Sequence, residues 1–223
     1  MPEPHPASRH VLDQIEALPR SDRPLVICDV DEVVLHLIPH LERYLDTLGL
    51  AFLNHEYKFA GNIAQKADGT VVPKTLVSRH LADFFDAESH RQEMVPGADR
   101  ALRQISKTHE VILLTNLPGG HNKPIREKLL AGMDIPYPVL TNSGPKGGAV
   151  AALAGGRPAP VVFIDDSPTN HSSVNASLPS ASLIQFIADE RFRSNVAPEP
   201  HIDLLTGDWQ ETADFIASLL ENA

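Results

Sequence analysis

The chain has 223 residues, 42% hydrophobic and 22% charged, ordinary proportions for a soluble globular protein large enough to bury a full core. Its formal net charge of -10, with no Lys/Arg-rich run, argues against nucleic acid as a main partner, because phosphate-backbone binding needs a basic face. The single cysteine, Cys28, excludes an intrachain disulfide; no stretch has the pattern of a membrane span or a signal peptide, so a cytoplasmic protein with no membrane partner is expected.

In chain order, the proline-rich residues 1–8 read as a poorly ordered lead-in, and Val11, Ile15 and Leu18 then recur at helical spacing. Leu25–Val30 reads as the first strand, apolar on both faces as suits a central parallel strand, with Cys28 a buried structural thiol. Leu35–Leu50 reads as a helix with Leu37, Leu41, Leu45 and Leu48 on one face. The Asp68-Gly69 turn signal predicts a hairpin between Lys58 and Val72, and Leu76–Phe85 is helical again. This block, residues 35–95, reads as a small, mainly helical insertion over the strand ends, leaving 1–34 and 96–223 as the core. Its histidines, His36, His40, His55, His80 and His90, lack zinc-site spacing and read as solvated or packed. Arg43, Arg79 and His80 read as part of a solvated face.

Beyond Pro96-Gly97, helices are expected over Ala98–Lys107, from Pro124 at a first helical position to Ala131, and over Ala149–Leu153. Strands are expected over Val111–Asn116, Tyr137–Thr141, Val161–Ile164 and Leu183–Ile187. Ser167 reads as the cap of a helix opening at Pro168, and Trp209, Ala213, Ile216 and Leu220 mark the inner face of a last helix. Strands alternating with helices make this an α/β chain with a doubly wound parallel sheet.

Polar residues gather where the apolar strands end. Asp29 and Asp31 close the first strand, Thr115 the second and Asp165-Asp166 the fourth, while Lys146 lies at the mouth of the helix after the third. In a parallel sheet these ends share one edge, so residues far apart in sequence converge on one crevice. Crowded carboxylates repel unless a hard cation holds them, and a few oxygen ligands suit Mg2+, which keeps some waters and shares an anionic substrate. A cation, a lysine and a hydroxyl around a free carboxylate suit phosphoryl transfer, with Asp29 placed to attack phosphorus and Asp31 to protonate the leaving oxygen.

These residues resemble the haloacid dehalogenase (HAD) superfamily, with its four motifs in order: Asp-x-Asp-x-Val at Asp29–Val33, an apolar strand ending in Thr115, Lys146, and Asp165-Asp166. The resemblance implies a Rossmann-like HAD core with strands ordered 5-4-1-2-3 and an early cap that sets substrate choice. It implies Asp29 as nucleophile and Asp31 as acid/base. Thr115 and Lys146 would bind the phosphate, and Asn116 would lend it a backbone N–H. Mg2+ would be held by Asp29, the Asp31 carbonyl and the Asp165-Asp166 pair, Asp166 directly. Lys123 is the competing lysine, and Asn170 stands where some relatives carry a further acid. The second acid at Asp31 resembles the phosphatase and phosphomutase branch. A Mg2+-dependent phosphohydrolase of a small phosphorylated metabolite is therefore expected, with a phosphomutase, or a non-catalytic phosphate-binding protein on the same scaffold, as alternatives. A receiver-type signalling domain uses similar groups but places its acid pair first, whereas here the pair comes last.

Overall fold

In the computed structural model of the protein, residues 6–19 and 21–221 are described, so the first five residues of the expected lead-in lie outside it. Helix α1 (Arg9–Glu16) follows at once, its first turn closed by the Ser8 hydroxyl, which accepts from the Val11 N–H at 3.3 Å.

The centre is β1 (Leu25–Cys28), buried along its whole length. It pairs in parallel with β4 (Glu110–Thr115) on one side and β6 (Val161–Asp165) on the other. The sheet is completed by β5 (Val139–Thr141), β7 (Ser182–Phe186) and β8 (Leu204–Thr206), in the order β5-β4-β1-β6-β7-β8. Every pairing in it is parallel. The expected five-strand order is thus present, extended at one edge by β8. That strand and the short helix α8 (Glu190–Arg193) carry no pattern long enough to mark them in sequence.

Alternate residues of β1 serve opposite faces. Val26 and Cys28 join the core beneath α4 (Ala98–Ile105), α5 (Asn122–Ala131) and α9 (Trp209–Glu221). Leu25 and Ile27 join the core beneath α1, α6 (Gly147–Ala154) and α7 (Pro168–Ser177). Both faces are covered, so the sheet is doubly wound as expected.

Between β1 and α4 the chain forms α2 (Ile38–Thr47), the antiparallel pair β2 (Leu50–Phe52) and β3 (Ile63–Gln65), and α3 (Lys74–Ala87). Three expectations are corrected in this block. The Asp68-Gly69 turn forms, with Gly69 at φ 74°, but it closes only an Ala64–Val71 bridge; the ladder partner of β3 is β2. Packing of Leu50 and Ile63 in one cluster decides that pairing over the local turn. Helix α2 starts at Ile38 rather than Leu35, because residues 29–35 form a tight turn in which Glu32 takes φ 63°. Leu48 falls beyond the helix end and is exposed, since Gly49 at φ 70° turns the chain into β2. Elsewhere, Pro124 sits inside the first turn of α5, which opens at Asn122, and an imino nitrogen costs nothing there because first-turn N–H groups lack helical partners.

Glu32 ties the insertion to the core. It is fully buried, its carboxylate accepting from the N–H groups of Leu37 (2.9 Å), Ile38 (2.8 Å) and Asp189 (2.7 Å). It thereby caps α2 and holds it against the turn after β7. Burial pushes this carboxyl up to about 7, against the pull of those N–H bonds. Glu32→Gln puts an amide N–H against backbone N–H donors, and the expected loss is about 1–3 kcal/mol of stability. Urea denaturation measures it; an unchanged midpoint would show that the start of α2 does not depend on this carboxylate.

Candidate active site

The sheet delivers its polar residues to one edge. The Asp29 N–H donates to the Ile164 carbonyl at 2.8 Å, so β1–β6 pairing continues one residue past the strand and fixes Asp29 beside Asp165. Thr115 ends β4 and Asp165 ends β6. Lys146 precedes α6, whose start is locked against α7 by Gly147: a Cβ there would lie 2.2 Å from the Ser173 carbonyl oxygen. That close approach, which glycine alone permits, aims Lys146 inward.

Lys146 is fully buried, its Nζ 2.8 Å from Asp29 Oδ1 and donating to Asp165 Oδ2 at 2.7 Å. Burial works against its charge, but the carboxylates of Asp165 and Asp29 outweigh it and hold the ammonium protonated. Asp165 is saturated on its other oxygen, which accepts from the Ser167 N–H and the Asn170 side-chain amide, both at 2.9 Å. Ser167 therefore stands at the cap position of α7 without capping it through its side chain. Oxygens of Asp29, Asp165 and Asp166 lie within 4.8 Å of one another. Burial pushes Asp29 up to about 7, Lys146 opposing and Asp165 and Asp31 adding to the rise; burial and the charges of Asp165 and Asp29 likewise drive Asp166 upward. Cys28, behind them, is raised by burial and donates to the Asp29 carbonyl at 3.0 Å, an inert packed thiol.

Two buried groups that no sequence pattern marked organise Asp31. Arg126, from α5, donates through Nη1 to Asp31 Oδ1 at 3.0 Å and through Nη2 to Gln92 Oε1 at 2.9 Å. Gln92 in turn donates to Asp31 Oδ1 at 2.9 Å. Thr115 Oγ1 donates to the other oxygen, Oδ2, at 3.3 Å. A third unmarked group is Tyr57, whose hydroxyl, raised by burial and by Asp166, donates to Asp166 Oδ2. Asn116 accepts from Asn142 at 2.9 Å and donates to the Gly144 carbonyl, also at 2.9 Å, steadying the loop before Lys146. Lys123, the competing lysine, points elsewhere and donates to Gln14 at 2.9 Å. Among the described residues the insertion's histidines form no metal-ligating group.

Four buried carboxylates thus face two buried cations, Lys146 and Arg126, so ionising all four would leave an excess of two negative charges. A divalent cation offsets that excess, and the donors, hard oxygens only, fit one. Asp29 and Asp166 have the oxygens to spare for it; Asp165, bound to Lys146, Ser167 and Asn170, suits an outer role. A cavity of about 360 Å³ opens above Asp29, Asp31, Thr115 and Asp166.

No family model and no curated protein matches the chain. Solved structures do, at the level of fold. A HAD family hydrolase from Deinococcus radiodurans R1, with bound phosphate and sodium, superposes with TM-score 0.59 at 13% identity, over 89% of this chain and 97% of its own. A haloacid dehalogenase-like hydrolase from Streptococcus pneumoniae gives 0.58 at 11% identity, over 88% and 99%. YfnB of Bacillus subtilis, bound to magnesium, gives 0.57 at 11% identity, over 87% and 98%. The fold is the HAD-like Rossmann-type fold.

Two outcomes follow. Protons on Asp29 and Asp166 compete with a cation, so divalent-ion affinity is expected to rise from about pH 5 to about pH 8, read by calorimetric titration; pH-independent binding would place the ion elsewhere. Arg126→Ala leaves a buried carboxylate unpaired and is expected to cost about 3–5 kcal/mol in urea denaturation, whereas a loss under about 1 kcal/mol would mean the pair is not buried in solution.

Proposed function

We propose that the protein is a Mg2+-dependent phosphohydrolase acting on a small phosphorylated compound through an aspartyl-phosphate on Asp29. The observation that carries this reading is Lys146, buried between Asp29 and Asp165 directly beneath a cavity lined by Asp29, Asp31 and Thr115. Phosphoryl transfer asks for that set: a carboxylate nucleophile, cations to offset charge and a proton donor beside the leaving oxygen. The phosphate and magnesium in two proteins of the same fold agree with it.

In this reading Asp29 attacks phosphorus, and Lys146 holds its carboxylate in place while offsetting repulsion between two anions. Bound Mg2+ would supply the remaining positive charge, held by Asp29, Asp166 and the Asp31 carbonyl, with Asp165 behind. Thr115 and the Asn116 N–H take the phosphoryl oxygens, while Lys146 offsets their charge from beneath the floor. The proton moves at Asp31 Oδ2, because Oδ1 already accepts from Arg126 and Gln92. The Thr115 hydroxyl leaves Oδ2 when it turns to the phosphate, freeing that oxygen to donate to the leaving group and then to accept from water. Residues 35–95 serve as the cap over this crevice, and Gln92 carries its closing strand of contacts to Asp31.

Asp29→Asn is expected to lower hydrolysis of an aryl phosphate by about 10³-fold or more while the thermal midpoint holds. Retention of most of the activity in the folded variant would remove the nucleophile assignment.

A further inference from the structure

The cavity has two unlike halves. Its floor is polar and comes from the sheet edge, Asp29, Asp31, Thr115, Asn116 and Asp166, with Ser167, Thr169 and Asn170 at the start of α7 continuing it to one side. Its roof comes from the insertion and is apolar: Leu37, Phe59, Leu81 and Phe85. Leu37 and Phe85 are buried in the cluster that also holds Val77 and Phe84, and Phe59 and Leu81 pack against it, so the roof is the outer face of a packed apolar cluster.

The charged groups of the insertion do not reach it. Arg43 is 59% exposed and faces Glu93 at 3.8 Å, and Arg79 is 76% exposed and faces Asp83 at 3.9 Å. Among the described residues no Lys or Arg lines the cavity. Lys146 and Arg126 lie beneath the floor, engaged with Asp29, Asp165 and Asp31.

We propose that this site selects phosphate monoesters whose alcohol is small, uncharged and apolar, over sugar phosphates, phosphorylated amino acids and bisphosphates. The inference rests on the phosphohydrolase reading for its chemistry and on the roof for its selectivity. Polyol hydroxyls pressed against Leu81 and Phe85 lose water without gaining partners from the roof, since the polar side chains Ser167, Thr169 and Asn170 lie at the floor's side. A second phosphate or a carboxylate would meet Asp31 and Asp166 with no cation to spare. A mutase must hold a bisphosphate between its two half-reactions, and this roof offers the distal phosphate nothing. The volume, near the low end of ligand pockets, suits a leaving group of modest size.

The test compares n-hexyl phosphate with glucose 6-phosphate, both esters of primary alcohols, so leaving-group basicity does not decide the result. A ratio of kcat/KM of about tenfold or more for the hexyl ester is expected, in keeping with what one apolar pocket discriminates. Calorimetry with n-hexylphosphonate and the isosteric phosphonate of glucose 6-phosphate gives the second readout, with the same preference expected in Kd. Leu81→Lys, at a half-buried position on the roof, is expected to erase most of the preference in both readouts. Equal or faster turnover of glucose 6-phosphate overturns the inference and leaves the phosphohydrolase standing. If neither ester turns over, the phosphohydrolase reading fails and the phosphonates decide: a tenfold preference for the hexyl compound still supports an apolar site, and equal binding overturns it.

Discussion

Burying carboxylates is the constraint on which this structure turns. Asp29, Asp31, Asp165 and Asp166 are all at most 8% exposed, and two cations stand among them. Removing an ionised carboxylate from water costs several kcal/mol unless partners replace the lost hydration. The protein supplies those partners unevenly. Asp165 and Asp31 are engaged on both oxygens, whereas Asp29 and Asp166 are pushed toward protonation. The stress is thus concentrated on Asp29 and Asp166, both of which line the cavity, where a cation and a phosphoryl group would relieve it.

The fold follows from the same need. A parallel sheet brings four strand ends to one edge, and continued pairing of Asp29 with Ile164 keeps the first acid in register with the last pair. Gly147 lets α6 approach α7 closely, and Lys146 before it reaches Asp29 and Asp165. Glu32 and Gln92 then fasten the insertion to the floor from two sides, one through backbone N–H groups and one through Asp31 itself. Roof and floor are thus joined at Asp31, which lines the cavity.

The sequence made the floor legible because its residues come in short local patterns at the ends of apolar runs. Asp29, Asp31, Thr115 and Asp166 line the crevice, and Lys146 and Asp165 pair directly beneath it. Arg126 was invisible for the opposite reason: it lies in an ordinary helix, 95 positions from Asp31, and only the packing of α5 beneath the sheet edge joins them. Tyr57 likewise reaches Asp166 across 109 positions. The Asp68-Gly69 turn was correctly local, but which strand pairs with β3 is settled by burial of Leu50, which a turn does not encode. The edge strand β8, three residues long and partly buried, is too short to show a period.

The most direct test of the charge argument is diffraction from crystals grown with manganese and phosphate, measured for the anomalous signal of the metal. The account predicts one strong peak about 2.2 Å from carboxylate oxygens of both Asp29 and Asp166, with phosphate beside Thr115. Density for phosphate without a metal, or a peak that leaves Asp29 and Asp166 bound only to Lys146 and Tyr57, would contradict it.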